Sequence, residues 1–447
     1  MEGVDYKDVF APVVKSESLR VFLSLVAARD MDCIQVDVVS AFLYGSLHET
    51  VYMHQPPGYE DPTCPDFVCR LIKNLYGLKQ APRVWHQTID PALRDFGFQP
   101  LVADPCIYSM QSKNGLSFIS LYVDDLAVAS DSTTEIQTFL SYIEKRFKIT
   151  SDGDLHHLLG IKITRDRSNR TISLSSPDKI TNILKDYNMF DAHPVPTPMI
   201  STSLSSSDSP VPRSSDWLSM QSVPYRQCVG RLIHLSRTTR PDTSYPVSVV
   251  SRHLANPGKI HWNTVKHILR YLSGTRSQCL TLNPSDMVLS GYCDADWAGN
   301  VDTLKSTTGY AFFLGKSLIS WCSKAQSKVA TSSTHAGYIA AYSASCEAMW
   351  LRSLLAELNL LSSPTPTTLH CDNDAAVKIA THHMVTPRSK HFEIKLHALR
   401  EHIRDGSLSL KLCPGSHNVA DFFTKPLKPA KFNTFRSSLG IVPCVST

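Results

Sequence analysis

Apolar residues recur at helical spacing over Ser16–Arg29 (SESLRVFLSLVAAR), behind a serine, which predicts an amphipathic helix. Cys33–Val39 (CIQVDVV) then predicts a strand with one charge, Asp37, among apolar neighbours. Gly45, Pro56, Pro57 and Gly58 punctuate loops around a short strand at Val51–His54, and Phe67–Leu75 is a further short apolar segment. A loop over Tyr76–Arg83 leads to a helix over Val84–Phe96 and a strand over Asp104–Met110. Phe118–Val123 and Leu126–Ala129 are two β-prone runs that read as a hairpin around the pair Asp124–Asp125. Thr133–Phe147 reads as a helix, and Leu158–Thr164 with Thr171–Leu174 as a second hairpin.

Beyond this the periodicity changes. Ser175–Met199 reads as a helix with a Pro-rich exit, Ser201–Ser222 as a mobile Ser/Pro-rich linker, and Tyr225–Thr275 as helical. Ser290–Asn300, Tyr310–Trp321, Leu369–Asn373 and Leu408–Cys413 read as strands, and Ala336–Leu358 and His391–Arg404 as helices. The expected division is 1–175, 176–279 with the linker at 201–222, 280–430, and a tail at 431–447.

A chain of 447 residues is too long for one core. Its net charge of +5 permits a polyanionic partner without demonstrating one. Basic residues in Arg70–Arg94 are interleaved with Tyr76 and Trp85, with Phe96 just beyond, a mixture that suits a nucleic-acid track as well as a solvated face. The twelve cysteines form no CxxC pair or finger spacing, and no apolar run reaches about 18 residues. The expectation is an intracellular, reducing location with free thiols, no secretion signal and no membrane span.

Two adjacent carboxylates at the end of a buried hairpin repel each other, and they stay ionised cheaply beside a cation. Asp124–Asp125 has no Gly or Asn to take a positive φ, so a metal site and a solvated acidic turn both remain open. Asp37 is costly in a strand unless paired or metal-bound, or unless it lies at a surface strand end. The order strand–helix–hairpin–helix–strand is that of a split βαβ, ferredoxin-like palm, an α/β (α+β) arrangement that can set Asp37 beside the hairpin. Three carboxylates so gathered suit two Mg²⁺ ions.

The motifs FAPVVK (Phe10–Lys15), QVDVVSAFLYG (Gln35–Gly45), VYMHQPPGY (Val51–Tyr59), LYGLKQAPRVW (Leu75–Trp85), LYVDDL (Leu121–Leu126) and LLGIKI (Leu158–Ile163) occur in an order that resembles the reverse transcriptase of copia-type LTR retrotransposons. GYCDADWAG, SLISWCSKAQ, CDNDAA, KHFEIKLHALRE and VADFFTKPL are similar to the RNase H of the same elements, so the resemblance covers nearly the whole chain. It implies right-hand polymerase fingers and palm, a thumb or connection segment, and an RNase H-like domain. Asp37, Asp124 and Asp125 would be catalytic metal carboxylates, with two Mg²⁺ per polymerase site. Phe42 would exclude a ribose 2′-hydroxyl, Gln80 would belong to the loop under the nascent base pair, and Leu158–Ile163 would grip the primer end. Asp294, Asp372 and Asp421 would be metal ligands of the RNase H site. The implied partners are an RNA template, a DNA primer, a dNTP and other Pol or Gag products, and the implied reaction is attack of a primer 3′-hydroxyl on the dNTP α-phosphate.

Two departures temper this. The family usually has SSTEAEYIA where this chain has SSTHAGYIA (Ser332–Ala340), so Gly337 replaces a catalytic Glu. Glu347 lies about 15 Å further along the helix, too far to substitute, and His335 points elsewhere. RNase H activity is therefore expected to be absent or low. A basic finger strand that usually precedes GVDY is also missing, as in a polyprotein fragment or a start at an internal methionine. A non-catalytic remnant is the competing reading.

Overall fold

The computed structural model describes residues 8–201, 203–361, 365–381 and 393–444. The chain forms two compact units, Met1–Phe22 with Arg29–Leu158, and Leu23–Ala28 with Leu159–Thr447.

Helix α1 (Ser16–Arg29) leads in sequence to β1 (Asp32–Val38) of the first unit, where β2 (Tyr52–His54) pairs with β3 (Val68–Arg70) as a small antiparallel ribbon. Then follow α2 (Ala81–Phe96), β4 (Gln99–Pro100), β5 (Ile107–Ser112), β6 (Gly115–Tyr122), β7 (Asp125–Ser130), α3 (Thr133–Glu144), β8 (Ile149–Asp154) and β9 (His157–Leu158). The main sheet has the order β4-β5-β6-β7-β1-β8. Side chains alternate across a strand, so Val36 and Val38 enter one core with Leu126 and Val128 while Asp37 is turned to the other face. Trp85, Leu93, Phe98 and Phe139 close that core, and edge-on ring contacts of Phe98 and Phe96 with Phe139 hold α2 and α3 on the sheet. Burying each such side chain contributes roughly 1.5–3 kcal/mol.

The second unit carries two sheets. One runs β18-β12-β11-β10, from β10 (Ile161–Asp166), β11 (Thr171–Ser175), β12 (Gln278–Leu282) and β18 (Ile441–Pro443). Helices α4 (Pro177–Asp186), α5 (Ser215–Gln221), α6 (Tyr225–Thr238), α7 (Ser244–Val250) and α8 (Lys259–Gly274) lie between β11 and β12 in sequence. Ile180 and Leu184 pack with Val229, Leu232, Val250, Val265 and Leu269 in their core. Arg240 is fully buried there, on Asp242 at 2.6 Å and on Thr275. The other sheet is β15-β14-β13-β16-β17, built from β13 (Leu289–Asp296), β14 (Thr307–Leu314), β15 (Ser317–Ala325), β16 (Thr367–Cys371) and β17 (Leu408–Leu412). Helix α9 (Ser333–Glu357) packs on β13 and β14, and α10 (Asp374–Thr381), α11 (Glu393–Arg404) and α12 (Pro429–Ser438) complete the unit. β13, β16 and β17 are parallel, whereas β14 and β15 are antiparallel additions.

Several expected elements differ. The apolar run Tyr310–Trp321 is two strands, because Gly315 takes φ 60° and turns the chain between Leu314 and Ser317. Only Pro177–Asp186 of Ser175–Met199 is helical. The Ser/Pro-rich segment is substantially ordered. Ser205 and Ser206 donate to Asp302 at 2.6–2.8 Å, Ser214 caps α5, and Leu204 and Met220 are buried. Strand β8, paired with β1, had no expected counterpart. The start expected for the helix at His391 lies outside the described residues, and the helix is seen from Glu393.

Candidate active sites

The first site is built on the hairpin β6–β7. The sequence pattern puts the turn at Asp124–Asp125, but Tyr122 pairs with Asp125, so the two-residue loop is Val123–Asp124. Val123 takes the positive φ, 56°, that a tight hairpin needs. For a β-branched residue this is strained by roughly 1–3 kcal/mol. Two contacts hold the turn: the Trp85 indole donates to the Val123 carbonyl at 2.6 Å, and the Val38 amide to the Asp124 carbonyl at 3.0 Å.

Asp125, now inside β7, lies directly across from Asp37 on β1. Residues directly opposite in an antiparallel pair share a face. Burial pushes the Asp125 carboxyl up, a hydrogen bond donated by the Gln35 side-chain amide at 3.5 Å draws it down, and Asp124 and Asp37 push it up again. Burial, then the charges of Asp124 and Asp37, likewise raise the Tyr76 hydroxyl. Tyr76 therefore lies within electrostatic reach of Asp124 and Asp37, and its ring meets Phe42 at 4.6 Å between centroids. From the sequence, Tyr76 has a place in a loop and in a candidate nucleic-acid track, but no place beside the acidic residues. Phe42 lies in a single 3₁₀ turn, Ala41–Tyr44, entered through Ser40 at φ 56°. Gln80 is buried immediately ahead of α2, and its carbonyl accepts from the Val84 amide at 3.0 Å. Hard oxygen donors gathered on one hairpin and its neighbouring strand suit a divalent cation of the Mg²⁺ type.

The second site forms where parallel strands end. Cys293 and Cys371 are register partners on β13 and β16, so the residues that follow them, Asp294 and Asp372, emerge side by side. Asp421 comes from the 3₁₀ turn Val419–Phe423, which Asn418 ties to the Cys293 carbonyl at 3.0 Å. One oxygen from each of Asp294, Asp372 and Asp421 lies within 4.8 Å of the others, the one acidic group so closed among the described residues. Asp37, Asp124 and Asp125 form no group that tight. Asp294 and Asp421 are buried and Asp372 is half-buried. Burial first, with help from Asp421 and Asp372 and against Lys425 and the Thr424 hydroxyl, pushes the Asp294 carboxyl up to about 6. Asp372 is raised by burial and by Asp421.

Lys425 reaches Asp421 at 2.7 Å and Asp294 at 3.6 Å, while Lys431 reaches Asp421 at 2.6 Å. Sequence reading missed both as site residues, although Lys425 lies in the quoted VADFFTKPL motif. Gly337 lies on α9 beside Asn373, where an added Cβ would stand 3.1–3.3 Å from that side chain. His335 is turned back to Thr331, and Glu347 accepts from Ser320 at 2.6 Å. The acidic set at this end is thus three carboxylates.

A family model described as reverse transcriptase (RNA-dependent DNA polymerase) matches residues 1–201. The Pol polyprotein of transposon TNT 1-94 from Nicotiana tabacum is 39% identical over 98% of this chain and 33% of its own length. That of transposon RE2 from Arabidopsis thaliana is 36% identical over 98% and 30%. The putative transposon Ty5-1 protein of Saccharomyces cerevisiae is 34% identical over 68% of this chain and 98% of its own length. The chain belongs to the reverse transcriptase family of copia-type retrotransposon Pol polyproteins. It spans about a third of the length of the first two of these relatives.

Proposed function

We propose that the chain is an RNA-directed DNA polymerase, extending a DNA primer on an RNA template with dNTPs, and that it carries a C-terminal RNase H-like domain with impaired cleavage. Family membership supports the polymerase class. The observation that carries the site is the register of Asp37 against Asp125, with Asp124 held in the strained turn beside them. In this reading Asp37, Asp124 and Asp125 hold two Mg²⁺ ions. Bound there, the ions would supply Lewis-acid activation of the 3′-hydroxyl and neutralise phosphate charge. The residues' own work is positioning: Trp85 pins the turn that presents Asp124, and Phe42, backed by Tyr76, limits room at the sugar. Gln80, buried at the entry to α2, belongs in this reading to the loop under the nascent base pair.

At the second site Asp294, Asp372 and Asp421 fit one cation, and Gly337 leaves out the fourth carboxylate. Low hybrid cleavage follows. That same gap favours the second reading, a remnant that only binds nucleic acid.

The test is primer extension by the full chain on an RNA template–DNA primer with dNTPs and Mg²⁺. Extension that disappears in Asp124→Asn supports the polymerase. Template–primer binding without extension establishes the remnant. Phe42→Ala in an extending chain is expected to admit ribonucleotides, and unchanged sugar discrimination would remove Phe42 from this role.

A further inference from the structure

We infer that Lys425 and Lys431 are built-in counter-cations of the C-terminal acidic site, competing with divalent metal for Asp421 and Asp294 and so weakening metal binding there. This rests on the proposal above that Asp294, Asp372 and Asp421 are metal ligands.

Both oxygens of Asp421 face an ammonium: Oδ2 accepts a hydrogen bond from Lys431 at 2.6 Å, while Oδ1 is in ion contact with Lys425 at 2.7 Å without an aligned hydrogen bond. Asp294 Oδ2 accepts from the Thr424 hydroxyl and has Lys425 at 3.6 Å. The acids lie inside the fold, with the side chains of Asp421 and Asp294 3% and 7% exposed, while the lysines reach them from the surface, 39% and 36% exposed. Lys431 is anchored further, donating to the Gly415 carbonyl at 3.1 Å with its ammonium 5.0 Å above the Phe435 ring.

Two ammonium groups therefore face three carboxylates. With a glutamate at position 337 the acids would outnumber them by two; with Gly337 they outnumber them by one. A divalent ion needs several oxygen ligands at short range, and it enters only as an ammonium withdraws. An ammonium left nearby repels it, most strongly where water is scarce.

The test is Mn²⁺ titration of the full chain, followed by calorimetry and by the Mn²⁺ electron paramagnetic resonance signal. An Asp37→Asn, Asp124→Asn background silences the first site. Lys425→Gln is expected to tighten binding about tenfold and Lys431→Gln by less. Lys425→Arg, which keeps the charge, is expected to leave affinity near that of the parent. Asp294→Asn should abolish the tightened binding. Thermal unfolding in EDTA identifies any variant that fails to fold, and Lys425→Gln and Lys431→Gln stand in for each other if one does. If the parent binds Mn²⁺ through Asp294 and the Gln variants bind no tighter, the competition is overturned while the metal-ligand reading stands. If no variant shows Asp294-dependent binding, the metal-ligand reading fails and the competition fails with it.

Discussion

The two acidic sites solve the problem of crowded carboxylates in opposite ways. At the hairpin, Asp37, Asp124 and Asp125 are spread along two strands and a turn, and Asp125 is supported by a neutral amide, Gln35, at 3.5 Å. At the C-terminal sheet, Asp294, Asp372 and Asp421 close to within 4.8 Å and lean on two lysines. The spread arrangement leaves charge for an incoming cation to neutralise. The tight one has largely neutralised itself. Closeness of carboxylates is thus a poor guide to readiness for metal, and what else touches each oxygen decides.

The largest expected effect separates the sites by activity. Asp124→Asn should reduce primer extension on the order of 10³-fold, whereas Asp372→Asn should leave it within about twofold. Equal losses, measured by steady-state incorporation, would dissolve the distinction. The next is a pH effect. An acid held at about 6 when folded binds more protons than the unfolded chain between about pH 4 and 6, so it costs the fold stability as pH rises through that window. Between pH 4 and 7, chemical denaturation in EDTA should show Asp294→Asn gaining about 2 kcal/mol relative to the parent. A difference that does not change with pH would mean the aspartate is ionised throughout.

Gly337→Glu should raise cleavage of an RNA–DNA hybrid by about tenfold, and more with Asn373→Ala, because the new Cβ would press on the Asn373 side chain at 3.1–3.3 Å. Cleavage that stays flat in both variants would locate the defect elsewhere in the domain. The smallest effect tests the hairpin support. Trp85→Phe removes the donor to the Val123 carbonyl and should cost about 1 kcal/mol in urea unfolding of the first unit.

Much of the architecture is legible in the sequence because period and punctuation are local. Ser16–Arg29 and the strand carrying Asp37 are found where the apolar spacing puts them. The hairpin turn slips by one residue because sequence rules look for Gly or Asn at positive φ, and here Trp85 and the core hold a valine there. The Tyr310–Trp321 run hides its turn because a lone glycine amid apolar residues gives a weak break. The Ser/Pro-rich segment reads as mobile since its ordering partner, Asp302, is almost a hundred residues away. Lys431 is hidden for a different reason: it is near Asp421 in sequence, but only the folding of the 3₁₀ turn and α12 brings its ammonium onto that carboxylate.

Strand β18 pairs Val442 with Cys279 on β12, and β12 in turn pairs Leu280 with Leu174 on β11. Its sequence neighbours give it no partner, so this sheet closes through contacts of very long range. Such contacts form late and slowly. At roughly 5–20 residues per second, a ribosome needs on the order of 10–30 s to travel from β12 to β18. The first unit, whose sheet contacts all lie earlier in the chain, has that time to fold. Over the same interval β12 presents one open edge to every nascent chain nearby, a template for wrong pairing. Capture by chaperones or by another copy of the chain is therefore most effective between the synthesis of β12 and that of β18.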